Sequence, residues 1–294
     1  MIHEISPDIY KPEYIKANIK MEDYVLAYKG NGILVKYNEN AVTLPRWEEC
    51  LKNLEIEEKE SKYLYYLFEI SEENYFLWDR ELDYPLYKSM EEVENNKVSP
   101  QYFYLSIHEF RELDPVVMVF AGATGYHIRN WKASVRYCGK CGSATKPSDT
   151  ERAFVCTKCN EIFYPKISPA IIVAITNGDK LLLVRNKRGA YKRPALVSGF
   201  VEIGESFEDT VKREVMEEVG LNIKNIRRYK DQPWGISGAH MIGYLAELDG
   251  DDTIRLEEDE LTEAKWYSRE EIPEYRQRLS VGSEMISRFK SGEI

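Results

Sequence analysis

The sequence lacks a long apolar run. Its longest, near Ala170 to Ile175, is far short of the roughly 20 residues of a membrane span, so no contact with membrane is expected. The N-terminal MIHEISPDIYKPE has neither a basic start nor an apolar stretch, so no secretory leader is read there and a cytoplasmic protein is expected. Positive charge is in deficit: 40 Lys and Arg stand against 50 Asp and Glu, a formal net charge of -10. That balance disfavours non-specific attraction to nucleic acid or anionic lipid. An anionic ligand then needs a local basic patch or a metal. Histidine is scarce, and His3 and His108 are isolated, as structural or merely exposed histidines are. Internal repeats and low-complexity tracts are absent. Cysteine is limited to five residues, and without an export signal disulfides explain them poorly. Cys50 stands alone and reads as a spectator.

What is present suits a globular chain of two domains with a small insert: 294 residues, 43% hydrophobic and 31% charged, with 21 tyrosines. The class is α+β. Residues 1–132 read as a β-rich N-terminal domain with a linking helix. YVLAYKGNGILVKY reads as two strands around a Gly-Asn-Gly turn, and YLYYLFEISEENYFLWD as another pair around Ser71 to Asn74. Asp114 can cap the linking helix, with Pro115 in its first turn, running to about Lys132 and weakened by Gly122 and Gly125. His127 reads as a surface residue of that helix. From Ser168 the pattern changes. AIIVAIT and KLLLVR flank Asn177-Gly178-Asp179, a strong hairpin signal. Arg185, Lys187, Arg188, Lys192 and Arg193 form one basic patch, read first as a solvated loop.

The other four cysteines form two pairs, Cys138/Cys141 and Cys156/Cys159, with 14 residues between the pairs. Each CxxC turn brings two thiolates to one side of a tight knuckle. Two knuckles on facing hairpins make a tetrahedral four-sulfur site, which suits zinc. Protein fills all four positions, so the zinc is expected to be structural. Residues 133–167 are therefore read as a zinc ribbon. Nucleic-acid binding by the ribbon is a weak alternative, because Lys146, Asp149, Glu151 and Arg152 between the pairs are mixed in charge.

REVMEEVG crowds Glu214, Glu217 and Glu218 into five positions. Ser206 with Asp209 starts a helix, and Gly220 can end it in a left-handed conformation. Phe207, Val211, Val215 and Val219 form its expected buried stripe. The three glutamates share an arc that adjoins this stripe, with Glu218 closest to the apolar side. Like charges at these spacings repel, and a carboxylate at a core edge is costly unless paired. A hard divalent cation relieves both problems. Glu205 and Arg213 can form a supporting pair between loop and helix.

Gly199, Glu205, Arg213, Glu214, Val215, Glu217, Glu218, Gly220 and Leu221 match every fixed position of G-x5-E-x7-R-E-U-x-E-E-x-G-U, where U is a bulky aliphatic. The chain thereby resembles the Nudix hydrolase superfamily. The resemblance implies a Nudix αβα sandwich over 168–294 and metal-assisted cleavage of a diphosphate linked to another moiety. Glu214, Glu217 and Glu218 would be the catalytic carboxylates and would hold magnesium or manganese, with Glu217 either a ligand or the base. A ribbon directly before such a domain, with RYCGKCG, FYPKISPAIIVAI and GFVEIGES, is similar to the zinc-ribbon NAD(H) pyrophosphatase (NudC-type) subfamily. That resemblance implies hydrolysis of NAD(H) to nicotinamide mononucleotide and AMP, removal of NAD caps from RNA, and a homodimer.

The same resemblance carries further positions over. Ser198 (through its carbonyl) and Glu260 would add metal contacts. Tyr164, Phe200, Gln232, Pro233, Trp234, Ala239 and Gly282 would contact substrate. The subfamily's S-Q-P-W-P-F-P-x-S signature is here DQPWGISGA, Asp231 to Ala239. Gln232, Pro233 and Trp234 match, while Asp231, Gly235, Ile236, Ser237 and Ala239 depart. Ser237 and His240 are candidates for a replacement polar contact. Two other functions fit the sequence: a Nudix hydrolase for ADP-ribose or another nucleoside diphosphate derivative, and a non-catalytic nucleotide sensor. The intact box speaks against the sensor.

Overall fold

The computed structural model describes every residue except 55, 97–99, 188–192 and 276–279. It divides into two units. One holds residues 2–166 and 235–237; the other holds residue 1 with 167–234 and 238–294.

In the first unit, Tyr24–Lys29 and Gly32–Asn38 pair antiparallel, with Tyr28 opposite Ile33. Leu64–Ile70 and Glu73–Trp78 do the same across Ser71 and Glu72, both in the left-handed region. These strands belong to an eight-stranded sheet, in which Tyr24–Lys29 runs parallel to Glu73–Trp78. Trp47, Cys50, Trp78 and Tyr104 are buried in one of its cores.

The helix after the sheet is Val116–Ser134. Its cap is Pro115 rather than Asp114, because Pro115 is itself still extended, and no side chain caps it. Gly122 and Gly125 do more than weaken it. A Cβ on Gly122 would lie 2.4 Å from the Phe110 ring, and one on Gly125 2.4 Å from Leu26. Glycine here lets the helix approach its neighbours closely, and the Tyr28 hydroxyl donates to the Gly122 carbonyl at 2.7 Å. His127 is also more than a surface residue: its Nε2 lies 2.8 Å from the Lys166 carbonyl. Thr145–Pro147, Phe154–Cys156 and Ile162–Phe163 then form a three-stranded antiparallel ribbon.

The second unit is built on a six-stranded mixed sheet. Ser168–Asn177 lies at its middle, parallel to Ala239–Leu248 and antiparallel to Lys180–Asn186 and Val197–Phe200. Ile223–Trp234 and Leu261–Ser268 complete the edges. Side chains alternate across the sheet. Ile171, Val173, Ile242 and Tyr244 pack under the helix Phe207–Val219. Ala174, Leu183 and Leu245 pack under the C-terminal helix Val281–Lys290. The result is a helix–sheet–helix sandwich. No helix among the described residues is long and apolar enough to cross a membrane.

Candidate active site

The glutamate helix forms for local reasons. Ser206 Oγ accepts the Asp209 amide at 3.2 Å, and Gly220, at φ +67°, closes the far end. Val211, Val215 and Val219 are fully buried, each contributing about 2 kcal/mol of burial. Phe207, expected in the same stripe, is 37% exposed. As the first helical residue it lies outside the apolar cluster that the three valines join.

The valine stripe draws the glutamates to the core edge. Glu218 is only 6% exposed, and its Oε2 is buried with no hydrogen-bond partner. Burial, followed by the charges of Glu214, Glu260 and Glu217, pushes its carboxyl up to about 8. Burial also raises Glu214, against the pull of Arg213. The Glu214 carboxyl lies over the backbone of Gly199, where a Cβ would come within 1.9 Å of it. Only glycine leaves that room. Glu217 is exposed, and so is Glu260, which acts on Glu214 and Glu218 through its charge.

Arg213 organises the cluster. Its Nε and Nη2 grip Glu205 at 2.6 and 2.9 Å. Nη2 also reaches the Phe200 carbonyl, and Nη1 donates to Glu214 at 2.8 Å and Glu217 at 2.9 Å. Beside the guanidinium, Glu205 is held at about 2. Thr210, fully buried, donates to the same carboxylate at 2.9 Å. Its place four residues after the Ser206 cap was the sequence signal for this missed supporting residue. Because Arg213 draws Glu214 and Glu217 to itself, the carboxylates have no common focus. Among the described residues, only the cysteine thiols bring three or more such ligand atoms within 4.8 Å of one another.

The residues expected to touch substrate fall into different settings. Phe200 is an exposed ring at the end of its strand, and Ser198 is half-buried opposite Ile172. Gln232 is fully buried, and its Oε1 accepts the Val281 amide at 2.8 Å in the first turn of the C-terminal helix. Gly282 allows the close approach of Ile172, whose Cδ1 would lie 2.8 Å from an added Cβ. Ala239 is buried, Pro233 exposed and Trp234 half-buried. Tyr164 belongs to the other unit, where it is exposed and its hydroxyl reaches Glu151 at 3.3 Å. Of the basic patch, Arg185 pairs with Glu263 at 2.6 Å, and Lys187 and Arg193 donate to the Glu258 and Glu274 carbonyls. Arg188 and Lys192 lie outside the described residues.

The ribbon gathers its four thiols. Cys138 and Cys159 sulfurs are 3.6 Å apart, and Cys141 and Cys156 sulfurs 3.5 Å. Tetrahedral zinc with bonds of about 2.3 Å asks for sulfur separations of roughly 3.8 Å, so the set fits a structural zinc. The Cys159 and Lys158 amides hold the Cys156 thiol down at about 6, nearer the thiolate that zinc takes.

Residues 166–288 match the NUDIX domain family, and residues 133–164 the NADH pyrophosphatase zinc ribbon domain. A relative named NAD-capped RNA hydrolase NudC, from Shigella boydii serotype 18, is 40% identical over 57% of this chain and 65% of its own length. A relative of the same name from Enterobacter sp. strain 638 is 39% identical, with 57% of this chain and 64% of its own length covered. The chain thus spans just under two thirds of the curated relatives it matches. A Nudix hydrolase structure from Nitrosomonas europaea aligns at TM-score 0.45 and 20% identity, over 53% of this chain and 90% of that one. Residues 166–288 are thus a Nudix domain with an intact box, preceded by a zinc ribbon of the NADH pyrophosphatase kind, and over this stretch the chain is similar to NudC-type Nudix hydrolases.

Proposed function

We propose that the chain hydrolyses the diphosphate bond of NAD(H), giving nicotinamide mononucleotide and AMP, and removes NAD caps from RNA. The observation that carries the reading is the buried, unpartnered Glu218 Oε2, which feels the charges of Glu214 and Glu260. Such a carboxylate is costly as an anion until a cation joins it. The donor set is all oxygen, which suits magnesium or manganese. Once bound, a divalent ion supplies charge neutralisation at the diphosphate and a more acidic water.

The chain's own residues do the rest. Glu214, Glu218 and Glu260, with the Ser198 carbonyl, would hold the ion. Glu217 would be a further ligand or take the water's proton on its exposed carboxylate. Arg213 and Glu205 hold the loop against the helix, and Gly199 keeps the space over Glu214 open. The exposed ring of Phe200 offers a stacking face for a base. Gln232, Pro233, Trp234, Ala239 and Gly282 belong to the same proposal as substrate contacts, with Gln232 acting through the helix that it caps, and Tyr164 belongs to it as a contact made across the homodimer. The division into 1–132, 133–167 and 168–294, a cytoplasmic location and a homodimer belong to it too.

Product analysis tests the reading. Purified chain is incubated with magnesium or manganese and equal NADH, NAD and ADP-ribose, with a Glu217→Gln/Glu218→Gln double variant as blank. Nicotinamide mononucleotide plus AMP is expected, absent from the blank. Preferred cleavage of ADP-ribose, the reading that the altered GISGA segment keeps open, would redirect the substrate assignment. No cleavage of any of the three would sink it.

A further inference from the structure

The sheet carries a polar constellation that the site described above does not use. His240 Nε2 lies 2.8 Å from Asp231 Oδ2, and Arg228 Nη2 lies 3.1 Å from Asp231 Oδ1. Along Ala239–Leu248, Ile242, Tyr244 and Ala246 pack under the glutamate helix, whereas Met241 and Leu245 pack on the opposite face. His240 shares the parity of Ile242, so it stands on the glutamate face.

Its row across the sheet is Pro233, His240 and Pro169, and the Pro169 carbonyl accepts the Val201 amide at 3.1 Å. Val201 is two residues beyond Gly199, over which Glu214 lies. Strand spacings of about 4.8 Å place His240 roughly 10 Å from Val201. A nucleoside spans about that distance. In that row only His240 carries a polar side chain, and the His240 and Asp231 side chains are 38% and 42% exposed.

A carboxylate only accepts, so Asp231 places the proton of the neutral ring on Nε2. Nδ1 is then a hydrogen-bond acceptor, and no donor among the described residues reaches it. Resting on the hydrolase reading, we propose that His240, oriented by Asp231, accepts a hydrogen bond from a hydroxyl or amine of the substrate's nucleoside part and so contributes to substrate binding in this chain.

Steady-state kinetics on the full-length protein, with NADH and ADP-ribose, test this. His240→Ala is expected to raise KM about tenfold while kcat falls less than about threefold. His240→Asn, whose amide oxygen can accept in place of Nδ1, should bring KM back to within about threefold of the parent. Asp231→Ala should move KM in the same direction by less. A KM effect on both substrates assigns the contact to the shared adenosine half; an effect on NADH alone assigns it to the nicotinamide half. Unchanged KM in His240→Ala, or loss confined to kcat, overturns the proposal, provided that melting temperature and zinc content match the parent. If the parent binds NADH by calorimetry without cleaving it, the hydrolase reading fails and the dissociation constants of the same variants decide this one. If it neither binds nor cleaves, both fall.

Discussion

Glu218 concentrates the electrostatics of the site at one carboxyl. Its folded value of about 8 lies above the ordinary 4.5, so the folded state holds a proton that the unfolded state has released between these limits. Stability of the metal-free protein is therefore expected to fall as pH rises from about 4.5 to about 8, and then to level off. Melting curves across that range check the sign, and Glu218→Gln should flatten the slope. Magnesium or manganese should remove the same slope by pairing the charge. The variant should also lose hydrolysis by at least about a hundredfold. Gly199→Ala separates geometry from charge. Its Cβ would overlap the Glu214 carboxyl at 1.9 to 2.3 Å, so kcat is expected to drop by roughly ten- to a hundredfold while zinc content is kept. An active Gly199→Ala would show that Glu214 can move without consequence.

At the scale of elements, the glutamate helix is positioned by its ends and by one arginine. Ser206→Ala removes the acceptor of the Asp209 amide and should cost about 1 kcal/mol in chemical denaturation. Arg213→Lys keeps the charge but loses the two-pronged grip on Glu205 and the simultaneous reach to Glu214 and Glu217. It should lower kcat/KM far more than stability, which kinetics and denaturation on the same sample compare. In the other unit, Gly122→Leu would drive a side chain into the Phe110 ring and Ile33, destabilising by about 1–3 kcal/mol. These elements were legible because their signals are local: a serine before the helix, a glycine after it, valines every fourth residue. Phe207 misled for a reason of the same scale, since periodicity continues to the first turn whether or not a partner surface extends that far.

At the scale of the whole molecule, the ribbon and the hydrolase sheet are separate constructions with separate metals. Cys141→Ser is expected to lose its zinc, about one ion per chain by metal analysis, and to lower the melting temperature, because structural zinc contributes folding free energy directly. Retained zinc would refute the four-sulfur site. By itself the sequence determined the two CxxC knuckles, the box with its three glutamates, the Arg213–Glu205 pair and the alternation of strands, since each needs only spacing along a few turns or strands. The tertiary structure decided the depth of Glu218, the closeness of Glu214 to Gly199, the use of Gln232 as a cap 49 residues away in sequence, and the face on which His240 stands. Those depend on which strands lie side by side and in what register. A single-residue change of register exchanges every side chain between the two faces of a sheet, and no local pattern encodes it.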